Sequence, residues 1–152
     1  KKSIDKDIKA VIILGNPLKT DQKIQQKIET AQLIVHIGAY YNCWSNIADV
    51  VLPGQFYSEK KVTFTNKLQQ VQTTDIAIKA LRKSRPEWQI IVELADALGH
   101  KLNFSSINQV FKAMTEETKA FSGLSFDQIG NDGSKLKQTF KDNGMKLIRE
   151  TA

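Results

Sequence analysis

Cysteine is nearly absent. The 152 residues contain one, Cys43, which excludes an internal disulfide and any zinc or iron–sulfur site that needs a set of four cysteines from this chain. Histidine is almost as scarce: His36 and His100 are the two present, and no His-x-x-x-His, Cys-x-x-Cys or Glu-x-x-His spacing occurs, so the chain is expected to hold no metal by itself. Proline and glycine number 3 and 8, too few for a collagenous or low-complexity chain. No apolar run approaches the roughly 18–20 residues that cross a bilayer; the longest, Ala10-Val11-Ile12-Ile13-Leu14, is strand-sized, and direct membrane insertion is not expected. Acidic residues are outnumbered, 16 against 22 Lys and Arg, for a net charge of +6. The lysines are spread along the chain without an RNP-like or helix-turn-helix pattern, so nucleic acid is not an expected partner.

Gly-x-Ser-x-Gly, Gly-x-Gly-x-x-Gly and the Walker-type phosphate loop are all absent. Cys43 has no neighbouring histidine to activate it. No nucleophile–base pair stands out, and no catalytic residue is assigned. His36, inside an apolar run, reads as a satisfied core residue rather than a ligand. Asp49 is expected to hydrogen-bond a neighbouring loop, since an unpaired buried carboxylate costs several kcal/mol.

What is present reads as α/β. Ala10–Leu14 predicts a strand buried on both faces, broken by Gly15-Asn16-Pro17. Thr20 or Asp21 can then cap a helix over about 21–31 with Ile24, Ile28 and Ala31 as its apolar stripe. Leu33–Ile37 predicts a second strand and Ala48–Leu52 a third, closed by Pro53-Gly54. Strand, helix and strand within about thirty residues make a βαβ unit with parallel strands. Only Gly38–Ile47 separates the second and third strands, too short to promise a full crossover helix. Val62–Thr65 and Gln70–Thr73 predict a hairpin, Pro86–Leu98 a helix stopped by Gly99, and Ser106-x-x-Gln109 a capping box before another. Residues 125–128 predict a short helical turn. Residues 131–152 read as a basic tail or arm, separate from the 1–130 body. The basic lead-in (Lys1, Lys2, Lys6, Lys9) has no arginine and carries Asp5 and Asp7, so it does not read as a mitochondrial presequence. The glycine turn at Gly15 lies where α/β sheets bind ligands, at the carboxyl ends of strands, although a turn there can equally be only a connection.

Ala48-Asp49-Val50-Val51-Leu52-Pro53-Gly54, then Tyr57-Ser58-Glu59-Lys60, Thr63-Phe64-Thr65-Asn66 and Val71-Gln72, resemble a hallmark stretch of the molybdopterin oxidoreductase superfamily. Leu14-Gly15-Asn16-Pro17, Arg85-Pro86-Glu87-Trp88 and Phe121–Phe126 resemble further motifs of that family in matching order, over about residues 10–130. The resemblance implies a partial doubly wound, mostly parallel sheet with a β-extension and carboxyl-terminal helices, part of a larger degenerate domain. Where cofactor-binding relatives carry glycine, Val62 stands; where they carry Glu-Gly-Arg, Leu68-Gln69-Gln70 stands. Those departures are similar to the large iron–sulfur subunit of respiratory complex I, mitochondrial type. In that reading Gly15, Asn16, Thr63, Asn66 and Gln70 outline a vestigial cofactor site, and the chain binds no cofactor. It would be a scaffolding section, supporting electron transfer from NADH to quinone in the peripheral arm. Its expected partners are the other complex I subunits, including the cluster-bearing amino-terminal part of its own subunit, with iron–sulfur clusters and FMN in partner chains. The place would be the matrix side of the mitochondrial inner membrane, or the cytoplasmic face of a bacterial one. The alternative reading is a cofactor-binding piece of an active molybdenum oxidoreductase such as a formate dehydrogenase, with Asn66 and the Gly15 turn touching the pterin. As a fragment, the sheet is expected to leave apolar edges exposed for a partner chain.

Overall fold

In the computed structural model, which describes residues 8–16, 22–130 and 132–136, the β-branched run Ala10–Leu14 (β1) pairs in parallel with Leu33–Gly38 (β2), and β2 in parallel with Val50–Pro53 (β3), in the order β1-β2-β3. The connections are helices: Gln22–Glu29 (α1) between β1 and β2, and Cys43–Ile47 (α2) between β2 and β3. The expected cap at Thr20 or Asp21 and the Ile24 side chain lie outside the described residues. A mixed α/β architecture with a parallel sheet is therefore what the chain adopts.

Two local details go beyond the expectations. The crossover after β2, too short for a full crossover helix as expected, holds a five-residue one. Asn42 makes it possible: its Oδ1 accepts the N–H groups of Trp44 (2.9 Å) and Ser45 (3.3 Å), and its own N–H donates to Ser45 Oγ (3.1 Å), a reciprocal cap that pays the nucleation deficit of so short a helix. The third strand starts two residues later than Ala48. Asp49 is taken up in a clamp with Ile34 of β2, its N–H donating to the Ile34 carbonyl (2.9 Å) and its Oδ2 accepting the Ile34 N–H (2.7 Å). Its partner is thus a strand, not a loop.

Residues fall into two compact units, Lys1–Lys60 with Ile76–Asn103, and Lys61–Asp75 with Phe104–Ala152. In the first, the sheet is covered on one face by Ile13, Ile34 and Trp44 packed with Val11, Ile28, Ala31 and Ile47. On the other face Val35 and Ile37 of β2 meet Ile90 of Glu87–Ala97 (α3). Alternating side chains of a strand between two helical layers produce this division. Fully burying a side chain such as Ile37 contributes about 1.5–3 kcal/mol.

The second unit is an antiparallel sheet of Val62–Thr65 (β4), Gln70–Thr74 (β5) and Ser134–Lys135 (β6), in that order. It carries the helices Ile107–Glu117 (α4) and Phe126–Ile129 (α5). Val71, Phe111, Phe126 and Ile129 form its core, with the Phe111 and Phe126 rings edge to face at 5.6 Å. Ser106 caps α4 by accepting the Gln109 N–H (3.4 Å), while the Gln109 side chain reaches back to Ser105 rather than to Ser106. The first residues of the expected basic arm include β6, paired with Gln70 and Val71; residues 137–152 lie outside the described residues.

The β4–β5 turn carries an unusual backbone. Asn66 Oδ1 accepts the N–H groups of Leu68 (2.9 Å) and Gln70 (3.1 Å), and Gln69 sits at φ 59°, a left-handed conformation that strains any residue with a Cβ. Replacing Gln69 with Gly should therefore stabilise the protein by roughly 0.5–1 kcal/mol, the αL penalty less the extra chain entropy of glycine. Equilibrium denaturation reads the difference; an unchanged or lower midpoint would show that the Gln69 side chain contributes more than its backbone strain removes.

Candidate functional site

The carboxyl ends of β2 and β3 meet a cleft of about 680 Å³, lined by Gly38, Tyr40, Gly54, Phe56, Glu59, Ile78 and the residues from Leu81 to Ser84. Open α/β sheets place ligands at this edge. Two glycines begin the story. Gly15, after β1, has φ +72° and donates its N–H to the Ile37 carbonyl (2.8 Å), so the turn both leaves the strand and stays tied to its neighbour. Gly54, after β3, approaches α3 so closely that a Cβ there would lie 2.9 Å from Glu87 Oε1.

His36, fully buried, braces the Gly15 turn. Its Nε2 donates to the Gly15 carbonyl (2.9 Å), and the Ser45 hydroxyl meets its Nδ1 (2.9 Å). Because a carbonyl oxygen only accepts, the ring proton sits on Nε2, leaving Nδ1 to accept from the Ser45 hydroxyl. Ser45 in turn accepts the Asn42 N–H. The α2 cap, the core histidine and the β1 turn are one hydrogen-bonded chain, so His36 is a satisfied core residue with a positioning role.

The cleft's outer wall is held by Glu59. This carboxylate is 6% exposed; its Oε2 accepts the Phe56 N–H (2.9 Å) and its Oε1 the Leu81 N–H (3.2 Å). Beside it the Ser58 carbonyl accepts the N–H groups of Ala77 (2.8 Å) and Ile78 (3.1 Å). Lys60 then pairs with Glu87 at the start of α3, and Arg85 lies parallel to Gly54, its N–H donating to the Pro53 carbonyl (3.2 Å). The motif around Glu59-Lys60 and the motif around Arg85-Pro86-Glu87 are thus two halves of one clamp. Within it Phe56 sits between Tyr40, edge-on at 5.3 Å, and Tyr57, tilted at 4.1 Å. Arg82 and Lys83 line the cleft as exposed cations, Arg82 at φ 43°.

The five residues singled out in the sequence divide between the two units. Gly15 and Asn16 end β1 in the first unit. Thr63 lies opposite Thr73 in the second unit's hairpin. Asn66 and Gln70 are neighbours there, but their polar groups are engaged: Asn66 builds the turn, and Gln70 Nε2 donates to the Asp132 carbonyl. Sequence reasoning quoted Glu59 and Lys60 within a motif without a role, and passed over Tyr40, Phe56, Arg82 and Lys83. The signal that could have found the cations is the run Lys79 to Arg85, basic and free of carboxylates. Among the described residues no three of His, Cys, Asp and Glu gather as metal ligands, and no helix is long and apolar enough to cross a membrane.

Parallel βα units with a cleft at their carboxyl edge define an α/β domain, and the comparison with known proteins makes it specific. The molybdopterin oxidoreductase family profile matches residues 1–97, and the chain belongs to that family. It is 31% identical over 150 residues to the alpha subunit of a formate dehydrogenase of Methanococcus maripaludis, covering 94% of this chain and 22% of that protein. A formate dehydrogenase alpha subunit of Methanocaldococcus jannaschii is 28% identical over 134 residues, 84% of this chain and 20% of the relative. The NADH-ubiquinone oxidoreductase 75 kDa subunit of Reclinomonas americana is 39% identical over 77 residues, 51% of this chain and 11% of that subunit. The chain thus spans about a fifth of the length of the formate dehydrogenase subunits it matches.

Converting Glu59 to Gln leaves one carbonyl oxygen for two N–H donors. The expected cost is about 1–3 kcal/mol, with faster tryptic cleavage after Arg82 and Lys83 because Leu81 loses its anchor. Cleavage at the wild-type rate would show that the segment from Ile78 to Ser84 is held by something else.

Proposed function

We propose that this chain is a cofactor-flanking section of a molybdenum oxidoreductase of the formate dehydrogenase type, its cleft receiving the phosphate-bearing end of the pterin cofactor. The observation that carries this reading is the cleft itself. At about 680 Å³ it lies within the roughly 300–1,000 Å³ range of small-molecule and cofactor sites. Gly38 and Gly54 line it with backbone, Tyr40 and Phe56 offer an aromatic wall, and Arg82 and Lys83 bring donors and charge suited to phosphate oxygens. The residues present therefore fit such a group. When bound, the cofactor would supply the redox chemistry at its metal. This chain's own residues would grip and orient the outer end: Arg82 and Lys83 bind, Glu59 fixes the segment that presents them, and the aromatic wall excludes water. Support also comes from the reach of the similarity, which runs over nearly the whole chain for the formate dehydrogenase subunits and over half of it for the NADH-ubiquinone oxidoreductase subunit.

One observation favours a second reading, a scaffolding section of the large subunit of respiratory complex I with clusters and FMN in partner chains. In the hairpin, Val62 occupies ordinary extended backbone opposite Thr74, and Gln69-Gln70 stand where the family motif has glycine and arginine. The polar atoms of Asn66 and Gln70 are spent on the turn and on the Asp132 carbonyl. The hairpin does not fit a pterin contact; the cleft does.

Elemental analysis of the native assembly containing this polypeptide separates the two. Molybdenum near one atom per chain is expected, falling several-fold when Arg82 and Lys83 are both changed to Ser while the fold, read by circular dichroism, is retained. A molybdenum-free assembly that oxidises NADH would overturn this reading in favour of the scaffold.

A further inference from the structure

We infer that Ser45 is a positioning residue for the cleft: through His36 and Asn42 its hydroxyl clasps both ends of the loop that carries Gly38, Ala39 and Tyr40 into the cleft wall. The inference rests on reading the cleft as a ligand site.

Ser45 and His36 are both buried, and neither lines the cleft. The Ser45 hydroxyl oxygen accepts the Asn42 N–H (3.1 Å), while its proton goes to His36 Nδ1 (2.9 Å). One atom therefore joins the residue before the loop to the residue after it. Between them the chain runs from Ile37 to Tyr41. Gly38 is held as the last residue of β2, opposite Pro53, and its carbonyl accepts the Gly54 N–H (3.0 Å). Beyond it, among the described residues, Ala39, Tyr40 and Tyr41 make no hydrogen bond. A loop without bonds of its own takes its shape from the groups that fix its ends.

Two features show that this hydroxyl serves the loop and not only α2. First, the helix N–H groups of Trp44 and Ser45 are met by Asn42 Oδ1, so the Ser45 side chain is not needed for them. Second, the His36 ring that it orients lies directly against the loop: a Cβ on Gly38 would stand 2.9 Å from both Cε1 and Nε2. A ring that swung on losing its Nδ1 partner would press on Gly38 or release the Gly15 carbonyl that it holds (2.9 Å).

Tyr40 gives the loop its use. It is exposed, its ring meets Phe56 edge-on, and it lines the cleft together with Gly38 and Ala39. A wall ordered before its ligand arrives spares binding the entropy of ordering a slack loop.

Native assemblies carrying Ser45→Ala, Ser45→Thr or Thr115→Val test this. Thr115→Val removes a buried hydroxyl from the second unit, where Thr115 Oγ1 donates to the Lys112 carbonyl (2.8 Å), and controls for destabilisation alone. Chymotryptic cleavage after Tyr40 and Tyr41 reads the loop, and the rate at which molybdenum leaves the assembly reads the cleft. Ser45→Ala should accelerate both about tenfold, Ser45→Thr should return both to within about threefold of wild type, and Thr115→Val should alter neither. Wild-type rates in Ser45→Ala, rates matched by Thr115→Val, or no rescue by Ser45→Thr would overturn the inference. So would faster cleavage with molybdenum retained, because the clasp would then hold the loop without positioning a ligand; the cofactor reading survives that result. A wild-type assembly without molybdenum rejects the cofactor reading instead, and there faster cleavage of Ser45→Ala keeps the clasp while an unchanged rate rejects it.

Discussion

A single buried carboxylate organises the edge of the sheet where the cleft lies. Glu59 takes N–H donors from two separate stretches of chain, Phe56 immediately before it and Leu81 far after it. A carboxylate removed from water is costly unless its lone pairs are filled, so the interaction has one low-energy geometry and the segment from Ile78 to Ser84 must follow it. Lys60, the next residue, repeats the constraint by pairing with Glu87. Between them these two side chains set where α3 begins and how far the wall of the cleft stands from β2 and β3. The exposed Arg82 and Lys83, useless as a site if their backbone wandered, are presented from a fixed base.

In the second unit one side chain holds a strained turn. Gln69 holds the left-handed conformation that glycine adopts without strain, and Asn66 still closes the turn around it. Turn geometry belongs to the hydrogen bonds of Asn66, not to the residue at the strained position. Gln70, where the family motif has arginine, donates to the Asp132 carbonyl and offers no charge. The cleft carries the exposed cations Arg82 and Lys83, whereas in the hairpin the polar groups of Asn66 and Gln70 are engaged within the unit.

Much of this was legible in the residues. Continuous β-branched runs located β1 and β2, but the expected burial on both faces holds for β2 alone: Ile12 and Leu14 of β1 are exposed; the periodic apolar positions of Pro86–Leu98 and Ile107–Met114 located α3 and α4. Motif order identified the family before any coordinate did. The rest depended on contacts that no local window contains. Helix α2 hangs on the Asn42 cap, which looks like any loop asparagine until Ser45 answers it. Strand β3 starts late because Asp49 is engaged with Ile34, fifteen residues away in sequence. The pairing of Lys61–Asp75 with residues beyond Phe104 is non-local, so composition along the chain carries no mark of it. The cleft-lining residues escaped for the same reason: Tyr40, Phe56 and Arg82 converge only once Glu59 has drawn distant segments together.

The coupling between the two family motifs is the account's central claim, and a double-mutant cycle on Lys60 and Glu87 measures it most directly. With Lys60→Met, Glu87→Gln and the double variant compared by equilibrium denaturation, the account predicts an interaction energy of about 1–3 kcal/mol. Additive effects, with an interaction energy near zero, would contradict it.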